Sequence, residues 1–177
     1  MKKILFGILL SLMTYSFANA GAIEKGSFVI QPDLNLGGYG LVGWGGFGFG
    51  ATLNLEYAVH DYASVGGYVG YSTIARSGAN FHRIGFGARG VFHFWNLIDD
   101  KTSGNLRSDV VDFYFPLHLG YHIYKFDKSY YWAGSSGKFR MGAGLGVRYF
   151  FNEKIGINLE VGGMEMSWSK LGVTIKL

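Results

Sequence analysis

From residue 28 onward, apolar side chains recur at every second position in eight separate runs. They are Phe28 to Leu36, Phe49 to Val59, Val65 to Tyr71, Ile84 to Phe94, Val111 to Ile123, Phe139 to Tyr149, Ile155 to Val161 and Leu171 to Leu177. The fifth is the most regular: Val111, Phe113, Phe115, Leu117, Leu119, Tyr121 and Ile123 alternate with Asp112, Tyr114, Pro116, His118, Gly120 and His122. A period of two is the spacing of a strand, whose side chains point to opposite faces in turn. The connections differ in kind. His60-Asp61 and Asn152-Glu153 read as tight turns, whereas 37–46, 74–81, 125–137 and 163–168 are looser and rich in Gly or aromatics. A long polar connector, 96–109, falls on what is otherwise the short-turn side, with room for a short helix.

Sorting the runs by face separates the charges. One face carries none; the other carries Asp33, Glu56, Arg89, Asp112, Arg140, Arg148, Glu160 and Lys176, acids and bases in balance. Two architectures fit an apolar face of this kind. A soluble lipocalin-like carrier would turn it inward, and a membrane barrel would turn it outward. Three features favour the membrane. Tyr57, Tyr71, Phe94, Tyr121 and Tyr149 lie near run ends, where rings with a polar edge suit a lipid–water interface. The polar face is mostly Gly, which weakens a solvent-facing strand but makes room inside a narrow barrel. Balanced charge is what a sealed interior demands, since a buried ion needs a partner. Runs of this length cross a bilayer when tilted, and lipid leaves no option but closure. The expected fold is all-β, a closed antiparallel up-and-down transmembrane barrel of about eight strands.

The first twenty residues are of another kind. Lys2 and Lys3 precede an apolar stretch from Ile4 to Leu12, and Ala18-Asn19-Ala20 supplies a small-x-small site. This predicts a cleaved signal peptide over 1–20, ahead of a barrel domain over 21–177. The chain has 16 basic and 12 acidic residues. Lys2 and Lys3 belong to the leader, so the mature charge is small and no nucleic-acid partner is expected. With no Cys in the 177 residues, disulfides are excluded, and burial and hydrogen bonding must supply the stability.

Leu171, Val173, Ile175 and Leu177 alternate to the last residue, which resembles the terminal strand signal of outer-membrane proteins. That pattern usually ends in Phe; here it ends in Leu177. The segment Phe139 to Glu153 resembles the penultimate hairpin of the OmpA/OmpX-like outer-membrane β-barrel superfamily, as does the Gly-rich aromatic alternation over about residues 26–177. The resemblance implies the bacterial outer membrane as location. Its lipid and lipopolysaccharide would be surroundings and partners, and the barrel-insertion machinery would read the last strand. It implies little about activity. A monomer is expected.

Candidate chemistry is sparse, and no catalytic, cofactor or metal site is predicted. Gly142-x-Gly144-x-Gly146 and Gly46-x-Gly48-x-Gly50 have the spacing of phosphate loops but lie in strand-patterned segments. A phosphate loop needs a turn and then a helix N-terminus, so these Gly are read as lumen packing. His118 and His122 share a face but sit about 13 Å apart at ~3.4 Å per residue, too far for one metal. With the charged residues above they are expected to form a hydrogen-bonded plug, in which Asp112–Arg148 and Glu56–Arg89 are the favoured pairs. Outer-membrane barrels that hydrolyse or transfer lipid acyl chains place their groups near the outer rim; here Ser72, His122 and Arg140 occupy that level. Aromatic and aliphatic side chains in the outer connections, Tyr39, Leu41, Val42 and Trp44 and then Tyr130, Tyr131 and Trp132, are interaction candidates, or else extend the interfacial girdle. Lys125, Lys128 and Lys138 flank the second cluster, within reach of lipopolysaccharide phosphates. The leading reading is a non-enzymatic structural surface barrel with an adhesion or interaction role through its outer loops. A narrow pore for small or apolar solutes is the alternative, and a lipid-modifying enzyme the third.

Overall fold

Every alternating run forms a strand, and the strands close. The computed structural model describes residues 23–37, 47–76, 79–102, 106–126, 135–163 and 166–177. The strands are β1 (Phe28–Leu36), β2 (Phe47–His60), β3 (Ala63–Arg76), β4 (Ala79–Phe92), β5 (Val111–Phe126), β6 (Ser135–Phe150), β7 (Ile155–Gly163) and β8 (Ser169–Lys176). Each pairs antiparallel with the next, and β8 returns to β1 through Ile30↔Ile175 and Leu34↔Leu171, which seals the barrel. No edge is left for lipid to strip of hydrogen bonds.

The two faces of the wall settle its solvent. Leu53, Leu55, Val69, Phe86, Leu117, Leu119, Leu145 and Leu159 point outward and are exposed, whereas Gln31, Asn54, Glu56, Arg89, Asp112, Arg148 and Glu160 are buried inside. A soluble carrier would have the reverse, because water stabilises ions and lipid does not. The carrier alternative does not fit this wall, and the expected membrane barrel does. This is the architecture of a transmembrane barrel. No helix among the described residues is long and apolar enough to cross a membrane; the strands do the crossing.

Among the described residues, the connector after β4 is the one helical segment. α1 spans Phe94–Lys101. The strand ends at Phe92, so Phe94, read from the sequence as a strand-end ring, instead opens the helix. Phe94 and Trp95 turn towards Phe113 of β5, with ring centroids 6.4 and 4.8 Å from it. The Asn96 side-chain amide donates to the carbonyls of Ile23 (3.0 Å) and Asp61 (2.9 Å). These contacts hold α1 against the inner end of the barrel. Asp99 then fastens the return: its carboxylate accepts the backbone N–H of Leu106 (2.7 Å) and of Ser108 (2.9 Å). Arg107, between those two amides, adopts φ 55°, a left-handed backbone rare for a residue with Cβ.

Both mouths are filled. At the inner end Ile23, Val29, Ala58 and Phe150 form a buried apolar cluster. At the outer end Met166, from the β7–β8 connection, is 1% exposed. A Cβ added at Gly70 or Gly85 would meet its side chain, and the Arg83 guanidinium donates to its carbonyl.

Candidate functional site

The chemistry of the molecule lies in its lumen, where strands from all around the barrel project polar groups into one sealed column. Two guanidiniums organise it. Arg148 of β6 donates through Nη2 to both carboxylate oxygens of Glu56 on β2, at 2.7 and 2.8 Å. Its Nη1 lies 3.2 Å from Asp112 Oδ2, and its Nη2 also reaches Gln31 Oε1 at 2.8 Å. The same guanidinium sits 4.0 Å above the Tyr114 ring, a cation–π contact in a water-poor site. Arg89 of β4 donates through Nε to Glu56 (2.7 Å) and through its terminal nitrogens to Glu160.

Glu160 collects the remaining donors. Lys170 Nζ lies 3.0 Å away, the Tyr114 hydroxyl 2.8 Å and Gln31 Nε2 2.8 Å. Asp33 sits in amides rather than cations, accepting from Asn54 and Asn158 at 2.6 Å each and from Gln31 at 3.0 Å. His118 Nε2 accepts from Arg89 at 2.6 Å. Such a network tolerates burial because each carboxylate meets several donors; removing one member strands the others.

Glycine makes this column fit. A Cβ on Gly146 would stand 2.2 Å from the Tyr114 ring, and one on Gly120 would stand 2.1 Å from the Tyr68 hydroxyl. The Gly-x-Gly run at 142–146 is thus a seat for Tyr114 on the neighbouring strand. Gly142, Gly144 and Gly146 all lie within β6, where no phosphate loop can form.

The predicted site residues distribute unevenly. Asp33, Glu56, Arg89, Asp112, His118, Arg148 and Glu160 meet in the network. His122 is buried but lies above it, its Nε2 3.0 Å from the Tyr68 hydroxyl. Arg140 leaves the network altogether: half-buried towards the outer end, it donates through Nε to the Tyr124 hydroxyl at 3.1 Å. Lys176 is half-exposed at the inner end of β8. The fully buried cations beside Arg89 and Arg148 are Lys170 and Arg83. Both share the parity of their strand's polar face, with Gly172 and Thr174 or with Gly85 and Gly87, so extending each run by one residue finds them. Gln31, Asn54 and Asn158 escaped notice because uncharged amides carry no charge signal. The outer-rim catalytic option does not assemble: Ser72 Oγ accepts from Arg83 at 3.3 Å, His122 faces Tyr68 and Arg140 faces Tyr124. Trp44, Tyr130, Tyr131 and Trp132, with Tyr39, Leu41, Val42 and Lys128, lie outside the described residues, as does the leader.

Sequence reasoning also missed a Ser–His–Asp arrangement at the inner end. Ser64 Oγ lies 2.8 Å from His93 Nε2, and His93 Nδ1 lies 2.9 Å from Asp112 Oδ2. With Asp112 accepting at Nδ1, Nε2 is free to accept the Ser64 proton, which is nucleophile-activating geometry. Access is missing: Ser64 is 2% exposed and His93 and Asp112 are fully buried. Asp112 is moreover shared with Arg148. The arrangement ties β3, the end of β4 and β5 together beneath the plug.

An apolar outer wall around a packed ionic column defines a small transmembrane β-barrel of the closed kind. Solved structures of outer-membrane proteins share the fold. The N-terminal β-barrel domain of Pseudomonas aeruginosa OprF is 13% identical, with 88% of this chain and 100% of that one covered at a TM-score of 0.53. Neisserial surface protein A (NspA) is 17% identical, over 86% of this chain and 100% of that one, at a TM-score of 0.55. No family model and no curated protein matches the sequence.

Proposed function

We propose that the protein is an exported outer-membrane barrel, without enzymatic activity, whose role is structural and whose outer connections serve interaction or adhesion. One observation carries this reading: the wall presents aliphatic side chains outward while Arg89, Arg148, Glu56 and Glu160 fill the interior. Only a hydrocarbon surrounding makes that arrangement favourable. The outward alternation of Leu171 and Val173 on β8 supports that strand as the segment read by the insertion machinery. β6 outruns β7 at the outer end, where the described ladder between them stops at Ala143↔Gly163, which supports that end as the working surface.

The pore alternative lacks support from the lumen. An eight-stranded barrel has an interior just wide enough for side chains, and here Met166 and the Ile23 cluster close the two ends. Fractionation of cells tests location: the protein is expected in the outer membrane, with faster gel mobility before boiling than after. Recovery as a soluble protein would overturn the reading. In planar bilayers the purified barrel is expected to show no discrete openings, and steady unitary conductance would replace the structural role by transport.

A further inference from the structure

The barrel is not equally tall all round. β6 has 16 residues and β7 only 9. Their inner ends are level at Phe150↔Gly156, and the described ladder between them stops at Ala143↔Gly163. The excess, residues 135–142, therefore lies entirely at the outer end, about 27 Å of strand at ~3.4 Å per residue. There β6 continues on β5 alone among the described residues, through Leu119↔Met141, Tyr121↔Phe139 and His122↔Lys138. Phe139 and Met141 on its outward face are 78% and 79% exposed, the most exposed of the large apolar side chains described.

On the opposite face of the same open strand edge stand Arg140, between them, and Lys138, just before Phe139. Lys138 is exposed, and Arg140 is held at the Tyr124 hydroxyl with its guanidinium 5.9 Å from that ring. Among the described residues the charge around this edge has one sign. Glu24, Asp61, Asp99, Asp100, Asp109 and Glu153 lie at the inner end, and Asp33, Glu56, Asp112 and Glu160 belong to the lumen network. The outer ends of β5 and β6 carry Lys125, Lys138 and Arg140. By sequence the outer connections add Lys128 against Asp127 and Glu165, leaving that end basic.

We propose that the outer half of β6, Gly137 to Gly142, is a docking edge for a phosphorylated lipid of the outer leaflet, of the lipid A class. Acyl chains lie against Phe139 and Met141, and phosphate is held by Lys138 and Arg140. Neither half of the edge explains the other: the apolar pair suits any lipid, and the cations select phosphate. The proposal rests on the outer-membrane reading above.

The test uses the full barrel, refolded into phosphatidylcholine nanodiscs doped with bisphosphorylated lipid A or with the same lipid stripped of phosphate. Bound lipid is then counted by native mass spectrometry. Bisphosphorylated lipid A is expected to be retained over the stripped form, and K138Q with R140Q to weaken retention about thirtyfold, at one favourable contact per cation. K138Q alone, at an exposed position with no burden on folding, is expected to give about fivefold. Equal retention of the stripped lipid, or no loss in these variants, overturns the site while leaving the barrel reading intact. Failure to enter bilayers of any composition overturns both.

Discussion

Arg148 on β6 and Glu56 on β2 meet across the lumen, with one guanidinium nitrogen within 2.8 Å of both carboxylate oxygens. No stretch of sequence relates them; 92 positions separate the pair. Their contact draws together two walls of the barrel and displaces any water column between them.

Replacing Arg148 by Met leaves Glu56 to Arg89 and Asp112 to His93, each buried carboxylate short of its second donor group. The expected cost is about 3–5 kcal/mol, read as a lower urea midpoint and a lower temperature for losing folded gel mobility. Glu56→Gln together with Arg148→Met is expected to recover part of that loss, because one of the two carboxylates that Arg148 served is then neutral. Unchanged heat resistance in Arg148→Met would remove the pair from the account of stability.

Gly146→Ala tests the seat beneath Tyr114. The added methyl would stand 2.2 Å from the ring, and in a packed interior such crowding costs about 1–3 kcal/mol. Combining it with Tyr114→Leu is expected to relieve the clash, although the hydroxyl contact to Glu160 is lost. Additive losses in the double variant would show that the two positions do not compete for space.

The Ser64–His93–Asp112 arrangement is expected to be silent towards serine-directed reagents. Folded protein treated with a fluorophosphonate should remain unlabelled, since Ser64 is 2% exposed. Labelling that disappears in Ser64→Ala would reveal an open form and revive the enzymatic reading.

Asp99 gives the inner connector an acid limit. The Ser108 hydroxyl and the amides of Leu106 and Ser108 hold its carboxyl below the ordinary aspartate value. A group depressed in the folded state contributes fully above its unfolded value, about 3.9, and loses that contribution as pH falls through the lower folded value. The connector should therefore stay closed from neutrality down to about pH 4 and open to pepsin only below it. Asp99→Asn should loosen it at neutral pH, by about 1–3 kcal/mol for its hydrogen bonds to a charged acceptor, and make little difference once the carboxylate is protonated. Faster tryptic cleavage after Arg107 at pH 7 would report this, and an unchanged rate would show that α1 is held by Asn96 and Trp95 alone.

Most of the strand plan was legible because alternation is a local code: Val111 to Ile123 already states which side chains face lipid. Orientation was legible too, since Asp33, Glu56, Arg89, Asp112, Arg148 and Glu160 share one face and buried ions need one another. Exact ends were not. Phe94 continues the alternation in sequence, yet the chain leaves the sheet after Phe92 because Phe113 and the inner rim offer the next segment a helical berth.

The sequence by itself determined that this chain forms strands with one greasy and one ionic face, for each residue's face follows from its parity along its own strand. Only the tertiary structure decided who meets whom. Lumen partners such as Gln31 and Glu160, or Arg89 and Glu56, come from strands far apart in sequence, and their meeting is set by closure and stagger. The same closure left β6 taller than β7, which put Phe139 and Arg140 on an edge that no neighbouring residue in the sequence foretells.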